Sequence, residues 1–223
     1  MGQYYRKSLS AERLKRCYDV APKRTIQYLE AEIAHVKNHI HKGKKVLELG
    51  CGYGRVLKEL ANKCQTLVGI DLAPDNILMA QNLLSEYKNV EVILMDAEFL
   101  GFRDNQFDVV LCIQNGLSAF KIKPIKLVKE VIRVTRTRGL CFFSTYSQKF
   151  WEDRLEWFRR QSEEGLLGEI DYDATRPGLI VCKDGFRSST FYEDDFWRLA
   201  ETLKLESEIV EVDNSSLFWE VRK

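Results

Sequence analysis

From residue 44 onward, short apolar runs alternate with amphipathic segments, and this alternation limits the chain to very few architectures. The runs are Lys45–Leu49, Thr66–Asp71, Val90–Met95, Phe107–Ile113 and Leu140–Tyr146. Between them, Val56–Asn62, Pro74–Ser85 and Pro124–Val134 read as helices, the last with Leu127, Val128 and Val131 on its inner face. Nearly continuous apolar strands separated by helices predict a parallel sheet covered on both faces. One more helix is expected over Glu193–Leu203. Leu205–Val212 and Leu217–Arg222, on either side of Asp213-Asn214-Ser215-Ser216, then read as an antiparallel hairpin at the sheet edge. Upstream, Ile26, Leu29, Ile33, Val36 and Ile40 recur three or four residues apart, a helical stripe bounded by Pro22 and Gly43. A shorter helix is expected over Ala11–Val20, with Ser10 as its N-cap.

Composition narrows the function classes. Lys+Arg 34 against Asp+Glu 33 gives a net charge of +1, which argues against the strongly basic surface of a nucleic-acid binder. No apolar run is long enough to span a bilayer, and MGQYYRKSLS lacks the apolar stretch of a secretory signal, so a cytoplasmic protein is expected. A chain of 223 residues buries enough surface to need no disulfide or metal staple. The six cysteines stand at least 13 positions apart, without the close pairs of a structural zinc site, and are expected as small buried hydrophobes. His35, His39 and His41 include an i, i+4 pair that suits metal binding on a helix. No acid lies between them and Lys42-Gly43-Lys44-Lys45 follows, so a solvated helix end is expected and no metal ligand is assigned.

The densest chemical signal is Val46-Leu47-Glu48-Leu49-Gly50-Cys51-Gly52-Tyr53-Gly54, at the end of the first strand and the start of a helix. Glycines there let the backbone turn sharply and approach a ligand closely. Asp71 ends the second strand in Val68-Gly69-Ile70-Asp71, where a carboxylate can take both hydroxyls of a ribose. Together they describe an adenosine site. A dinucleotide fingerprint wants a small residue where this chain has Arg55, and Glu48 would repel a pyrophosphate. The same acid suits an ammonium group. An adenosine ligand with a positive tail and no phosphate is S-adenosylmethionine.

With these residues the sequence resembles the class I S-adenosylmethionine-dependent methyltransferases, from about residue 44 to 146 and more weakly through the C-terminal hairpin. Glu48–Gly54 looks like that family's first motif and Asp71 like its second. Met95-Asp96-Ala97-Glu98-Phe99-Leu100 is similar to the third, where Asp96 would accept from the adenine amino group and the Ala97 N–H would face the ring. Asn105–Val110 resembles the strand-four motif, and Arg138-Gly139-Leu140 the turn into strand five. The resemblance implies a Rossmann-like three-layer α/β sandwich: a mostly parallel seven-stranded sheet with a C-terminal antiparallel hairpin. It implies cofactor contacts from Glu48, Gly50, Cys51, Gly52, Gly54, Asp71, Leu72, Asp96, Ala97, Ile113 and Gln114, with S-adenosylhomocysteine as product. Gln114 and Asn115, after strand four, become the candidates beside the transferred methyl. The family's nucleic-acid amino-methylating members carry an Asn/Asp-Pro-Pro-aromatic run at this point, and Gln114-Asn115-Gly116 has no proline.

The chain is thus expected to be one domain over 1–223, with 1–43 as a helical cap and 147–192 as an insert forming a substrate lid. The insert is too long for a plain connection, and Trp151, Trp157, Phe158, Tyr172 and Phe186 argue against disorder. The first 24 residues carry seven basic and two acidic residues, whereas Glu152–Asp173 holds eight acids and three arginines. Either these segments meet over the cofactor, or the acidic stretch receives a cationic amine. Tyr4 and Tyr5 are candidates to fold over the methionine end. The expected acceptor is a small molecule methylated at N, O, S or C, an amine slightly favoured, by a monomer or homodimer. A protein or RNA methyltransferase and a non-catalytic cofactor-binding module are the competing readings.

Overall fold

The computed structural model describes residues 9–223; Tyr4 and Tyr5 lie outside them. The five apolar runs become β1 (Lys45–Leu49), β2 (Thr66–Asp71), β3 (Val90–Leu94), β4 (Phe107–Cys112) and β5 (Thr135–Tyr146). The C-terminal hairpin supplies β8 (Glu206–Val212) and β9 (Ser216–Arg222). The seven strands pair in the order β3-β2-β1-β4-β5-β9-β8. The first five are parallel, whereas β9 runs antiparallel to both β5 and β8. The strand order reverses between β1 and β4, and ligands of open α/β sheets bind at such a switch point, outside the carboxyl ends of the strands.

Helices cover both faces because β1 and β4 bury both sets of alternating side chains. On one side Leu47, Val110, Phe143 and Trp219 pack against α6 (Pro124–Val134) and α8 (Glu193–Leu203). On the other, Val46, Leu111, Phe142 and Phe218 pack against α2 (Lys23–Lys37), α3 (Arg55–Leu60) and α4 (Pro74–Leu83). The helix α2 stops at Lys37 rather than running on toward Gly43. The amides of Asn38, His39 and Ile40 each bond three residues back, and this tighter winding ends the α-helical ladder while Ile40 stays buried.

β5 begins five residues earlier than its apolar run. Its pairing with β4 shifts between Phe107↔Thr135 and Val109↔Leu140, and Arg138 inside the irregularity has φ 65°. The glycine expected at a turn thus sits in a bulge within the strand.

A third core lies above the carboxyl edge of the sheet. It joins α1 (Ala11–Asp19) and Tyr28 of α2 to the insert, where α7 (Trp151–Glu163) is followed by a small antiparallel pair, β6 (Leu179–Val181) and β7 (Arg187–Ser189). Cys17, Tyr28, Phe150, Trp157, Phe158 and Phe186 meet there. The Trp157 indole N–H donates to the Cys17 carbonyl at 2.7 Å, and Arg13 donates to the carbonyls of Gly165 and Leu166 at 2.5 and 3.0 Å. Arg16 pairs with Glu164 at 3.1 Å. The basic N-terminal helix and the acidic insert therefore touch, largely through apolar packing and backbone acceptors. Among the described residues no helix is long and apolar enough to cross a membrane.

Candidate active site

The loop after β1 is folded by the last residues of β2. The amides of Gly50 and Cys51 both donate to the Ile70 carbonyl, at 2.8 and 2.9 Å. Next along, Asp71 Oδ2 accepts from the Gly52 amide at 2.9 Å, and Oδ1 accepts from the Ala73 amide at 2.8 Å and Asn76 Nδ2 at 3.1 Å. Three of the carboxylate's roughly four lone-pair positions are thereby used, leaving an edge for a ligand. Gly50 has φ 72°, and a Cβ there would stand 2.6 Å from the Phe120 ring, so the loop closes only around glycine. Gly54 serves packing instead: it caps α3 at φ 91°, and a Cβ would meet Leu84 and Ala80 of the α4 segment at 3.0 and 3.2 Å.

These elements line one cavity. Of the residues expected at the cofactor, Glu48, Gly50, Cys51, Gly52, Asp71, Leu72, Asp96, Ala97, Ile113 and Gln114 reach its wall; Gly54 does not. Asp96 folds its own loop, with Oδ1 accepting from the Glu98 amide at 2.8 Å. Asn115, a candidate beside the methyl, is buried away from the cavity. Its Nδ2 donates to the Ser189 carbonyl at 2.9 Å and its Oδ1 accepts from Thr145 at 2.9 Å. With φ 63° it caps the short helix α5 (Gly116–Ala119) and ties β5 to β7, so its side chain is engaged in packing rather than lining the cavity.

The cavity's polar wall is unusual in its unpaired atoms. Glu48 Oε2, Arg55 Nη2 and Gln114 Nε2 are all buried without a hydrogen-bond partner, and all three residues line the cavity. A buried polar atom left unpaired costs about 1–3 kcal/mol, so three converging on one space mark a place that a polar ligand completes. Burial pushes the Glu48 carboxyl up to about 8, with Asp71 adding to the rise and Arg55 opposing it. The Arg55 guanidinium lies 4.9 Å from the centre of the Tyr18 ring, and the Tyr18 hydroxyl donates to Gln114 Oε1 at 3.3 Å. Sequence reasoning used Arg55 only to exclude a dinucleotide; it is part of the wall.

Behind Gln114, Glu32 of α2 is fully buried. It accepts from the Gln114 amide at 3.1 Å and from the Ser216 hydroxyl, and burial raises its carboxyl to about 7 against those hydrogen bonds. It fixes the end of β4 without reaching the cavity.

The opposite wall is aromatic: Tyr18, Tyr146, Trp157, Phe158 and Phe186, with Gln161 beside them. None of the eight acids of Glu152–Asp173 lines the cavity. Glu156 pairs with Arg159 and Arg160 along α7, which contradicts an acidic stretch receiving an amine. Asn76, missed in the sequence, holds the entrance together by accepting from the Ala11 amide at 2.5 Å while donating to Asp71. All six cysteines are free and buried, and burial pushes the Cys51 thiol well up, which disfavours its thiolate.

A mostly parallel sheet with a glycine loop and an acid at its switch point, beside an unpaired acid–arginine couple, is the arrangement expected of an S-adenosylmethionine site. Comparison with known proteins agrees. Residues 46–139 match the family model described as methyltransferase domain. A ubiquinone biosynthesis O-methyltransferase of Coxiella burnetii is 28% identical over 141 residues, 63% of this chain and 56% of that protein. Among solved structures, the PH0226 protein from Pyrococcus horikoshii superposes with TM-score 0.65 at 23% identity, covering 99% of this chain and 98% of that one. The N-methyltransferase NodS from Bradyrhizobium japonicum, in complex with S-adenosyl-L-homocysteine, gives TM-score 0.62 at 16% identity over 99% and 97%. The chain spans about half the length of the curated relatives it matches. Over residues 46–139 the chain is thus similar to methyltransferase domains, and its fold is that of S-adenosylmethionine-dependent methyltransferases of known structure.

Proposed function

We propose that the protein transfers the methyl group of S-adenosylmethionine to a hydroxyl on a small, flat, largely apolar acceptor. The observation that carries this reading is the pairing of two walls in one cavity: unpaired Glu48, Arg55 and Gln114 on one side, and aromatic rings of α1, β5, α7 and β7's approach on the other. Asp71 takes the ribose hydroxyls with its free edge. Asp96 and the Ala97 amide take the adenine, between Leu72 and Ile113. Glu48 takes the ammonium of the methionine end, and Arg55 takes its carboxylate through the unpaired Nη2. Gly50, Cys51 and Gly52 supply close backbone approach. Bound there, S-adenosylmethionine supplies an already activated methyl on a sulfonium.

The chain's remaining contribution is placement. Gln114 stands at the end of β4 with its amide fixed by Glu32 and Ser144, the latter donor to hydroxyl distance being 2.7 Å. Its Nε2 donates to the acceptor oxygen, which orients a lone pair and stabilises the ionised hydroxyl. The acceptor loses its proton to solvent before the rings close over it and reacts as its anion, since among the described residues no imidazole lines the cavity and the lining carboxyls belong to the cofactor half. Orientation of two reactants can supply on the order of 7–11 kcal/mol of a barrier. The rings of Trp157, Phe158 and Phe186 exclude water, and dispersal of the sulfonium charge favours a dry site. The third core that closes this space supports a substrate-lid role for 147–192 and, through the described residues 9–43, a cap role for 1–43. The O-methyltransferase name of the Coxiella relative supports the acceptor atom.

The experiment is transfer from methyl-labelled S-adenosylmethionine to a panel of phenols, catechols, amines, thiols and carboxylates. Label in an aromatic hydroxyl supports the reading. Label only in amines moves the acceptor atom, label only in protein or RNA overturns the small-molecule assignment, and cofactor binding without any transfer leaves a non-catalytic module.

A further inference from the structure

Outside the cofactor cavity, the sequence's histidines acquire a partner that their local context lacks. His35 lies in the last turn of α2, and His39 follows in the tight winding beyond Lys37. The nearest acid in sequence, Glu32, is held by the Gln114 amide and the Ser216 hydroxyl. In the fold, Glu220 of β9, 185 positions away, brings Oε1 to 2.6 Å from His35 Nε2. One ligand atom from each of His35, His39 and Glu220 lies within 4.8 Å of the other two. Four atoms about 2.0–2.1 Å from a tetrahedral zinc stand about 3.3 Å apart, so small side-chain rotations complete a three-ligand set. This corrects the expectation of a solvated helix end: Glu220 is 7% exposed and His35 17%.

Three further features favour a cation at this point. The residue facing Glu220 across the β8–β9 ladder is Glu208, so two carboxylates project from the same sheet face at one register position. Like charges directly opposite are destabilising unless a cation sits near. The cluster also lies at the carboxyl end of α2, where the helix dipole is negative. Around it, Phe142 and Phe218 pack on the imidazoles, with the His35 and Phe218 ring centres 4.5 Å apart. An apolar surround of this kind restricts solvent at a metal site.

We propose that His35, His39 and Glu220 form a divalent transition-metal site of the zinc type, which clamps the end of α2 to β9. Two imidazoles and one carboxylate are a borderline donor set suited to Zn²⁺, and the fourth position takes water. None of the three residues lines the cofactor cavity, so the metal braces the helix layer without taking part in methyl transfer. It also rigidifies α2, whose Glu32 fixes the end of β4.

The test uses the full chain stripped with chelator. Co²⁺ titration should develop visible d–d absorption that saturates at one equivalent and is abolished by one equivalent of Zn²⁺, and Zn²⁺ should raise the thermal midpoint. His39→Ala and Glu220→Gln should each weaken Zn²⁺ at least tenfold in competition with a chromophoric chelator. His39 is half-buried and not hydrogen-bonded in the core, so that variant decides the matter if Glu220→Gln misfolds by circular dichroism. No uptake by the wild type, or uptake of unchanged affinity and stoichiometry in folded His39→Ala, overturns the proposal.

Discussion

Glu48 gives the sharpest handle on the cavity. Its carboxyl is pushed up to about 8 because burial strips its water, with Asp71 adding repulsion and Arg55 opposing. Against an ordinary value of 4.5, that gap corresponds to about 5 kcal/mol of resistance to ionisation. At pH 7 the empty protein therefore holds Glu48 about nine-tenths protonated. A ligand ammonium against the same oxygen reverses the preference, so binding S-adenosylmethionine expels the proton. Calorimetry in buffers of different ionisation enthalpy should show release of about 0.9 proton per site at pH 7, falling toward zero above pH 9. Affinity should rise up to tenfold per pH unit below about pH 8 and then level off. In Glu48→Gln the proton release should vanish and affinity should fall. Binding without proton release by the wild type at pH 7, or with equal release by Glu48→Gln, would refute the contact.

Other outcomes follow from the same geometry. Glu32 carries a carboxyl raised to about 7 by burial, so the folded state binds more protons than the unfolded one between pH 4.5 and 7. Stability from this group is thus lost as pH rises through that window, by about 3 kcal/mol at most, and urea midpoints of Glu32→Gln should be correspondingly flatter from pH 5 to 8. Gln114→Ala should lower kcat while leaving cofactor affinity nearly unchanged, with a stability loss of about 1 kcal/mol from the lost Tyr18 hydrogen bond. Asn115→Ala should instead cost about 1–3 kcal/mol of stability, because it strands the Thr145 hydroxyl, although Ser118 still donates to the Ser189 carbonyl. Trp157→Phe keeps the ring but removes the bond to Cys17, so a loss of about 1 kcal/mol and a higher KM for the acceptor are expected.

What the sequence made legible was what its local chemistry encodes. The parallel strands β1, β2, β4 and β5 declare themselves because each holds an apolar run buried on both faces, the half-buried edge strand β3 by its β-branched run, and the loop Glu48–Gly54 because its glycines and its acid are contiguous. Asp71 could be placed because strand ends are local. The cap was legible only as a long aromatic insert. Its contacts join Arg13 to Gly165 and Trp157 to Cys17, residues 152 and 140 positions apart, and no periodicity reports such pairings. The same limit hid Glu220 from His35. Gly54 and Asn115 misled for a different reason: each sits within a motif whose neighbours face the cavity, yet its own left-handed backbone turns it toward packing or toward β7. Arg55 was read as an obstacle to one ligand when its unpaired nitrogen suits another.

The central claim is that this cavity binds S-adenosylmethionine through Asp71 at the end of β2. Isothermal titration of S-adenosylhomocysteine into the wild type and into Asp71→Ala tests it most directly. Saturable one-to-one binding by the wild type, lost in the variant, is the predicted result. No binding by the folded wild type, or unchanged affinity in Asp71→Ala, contradicts the account.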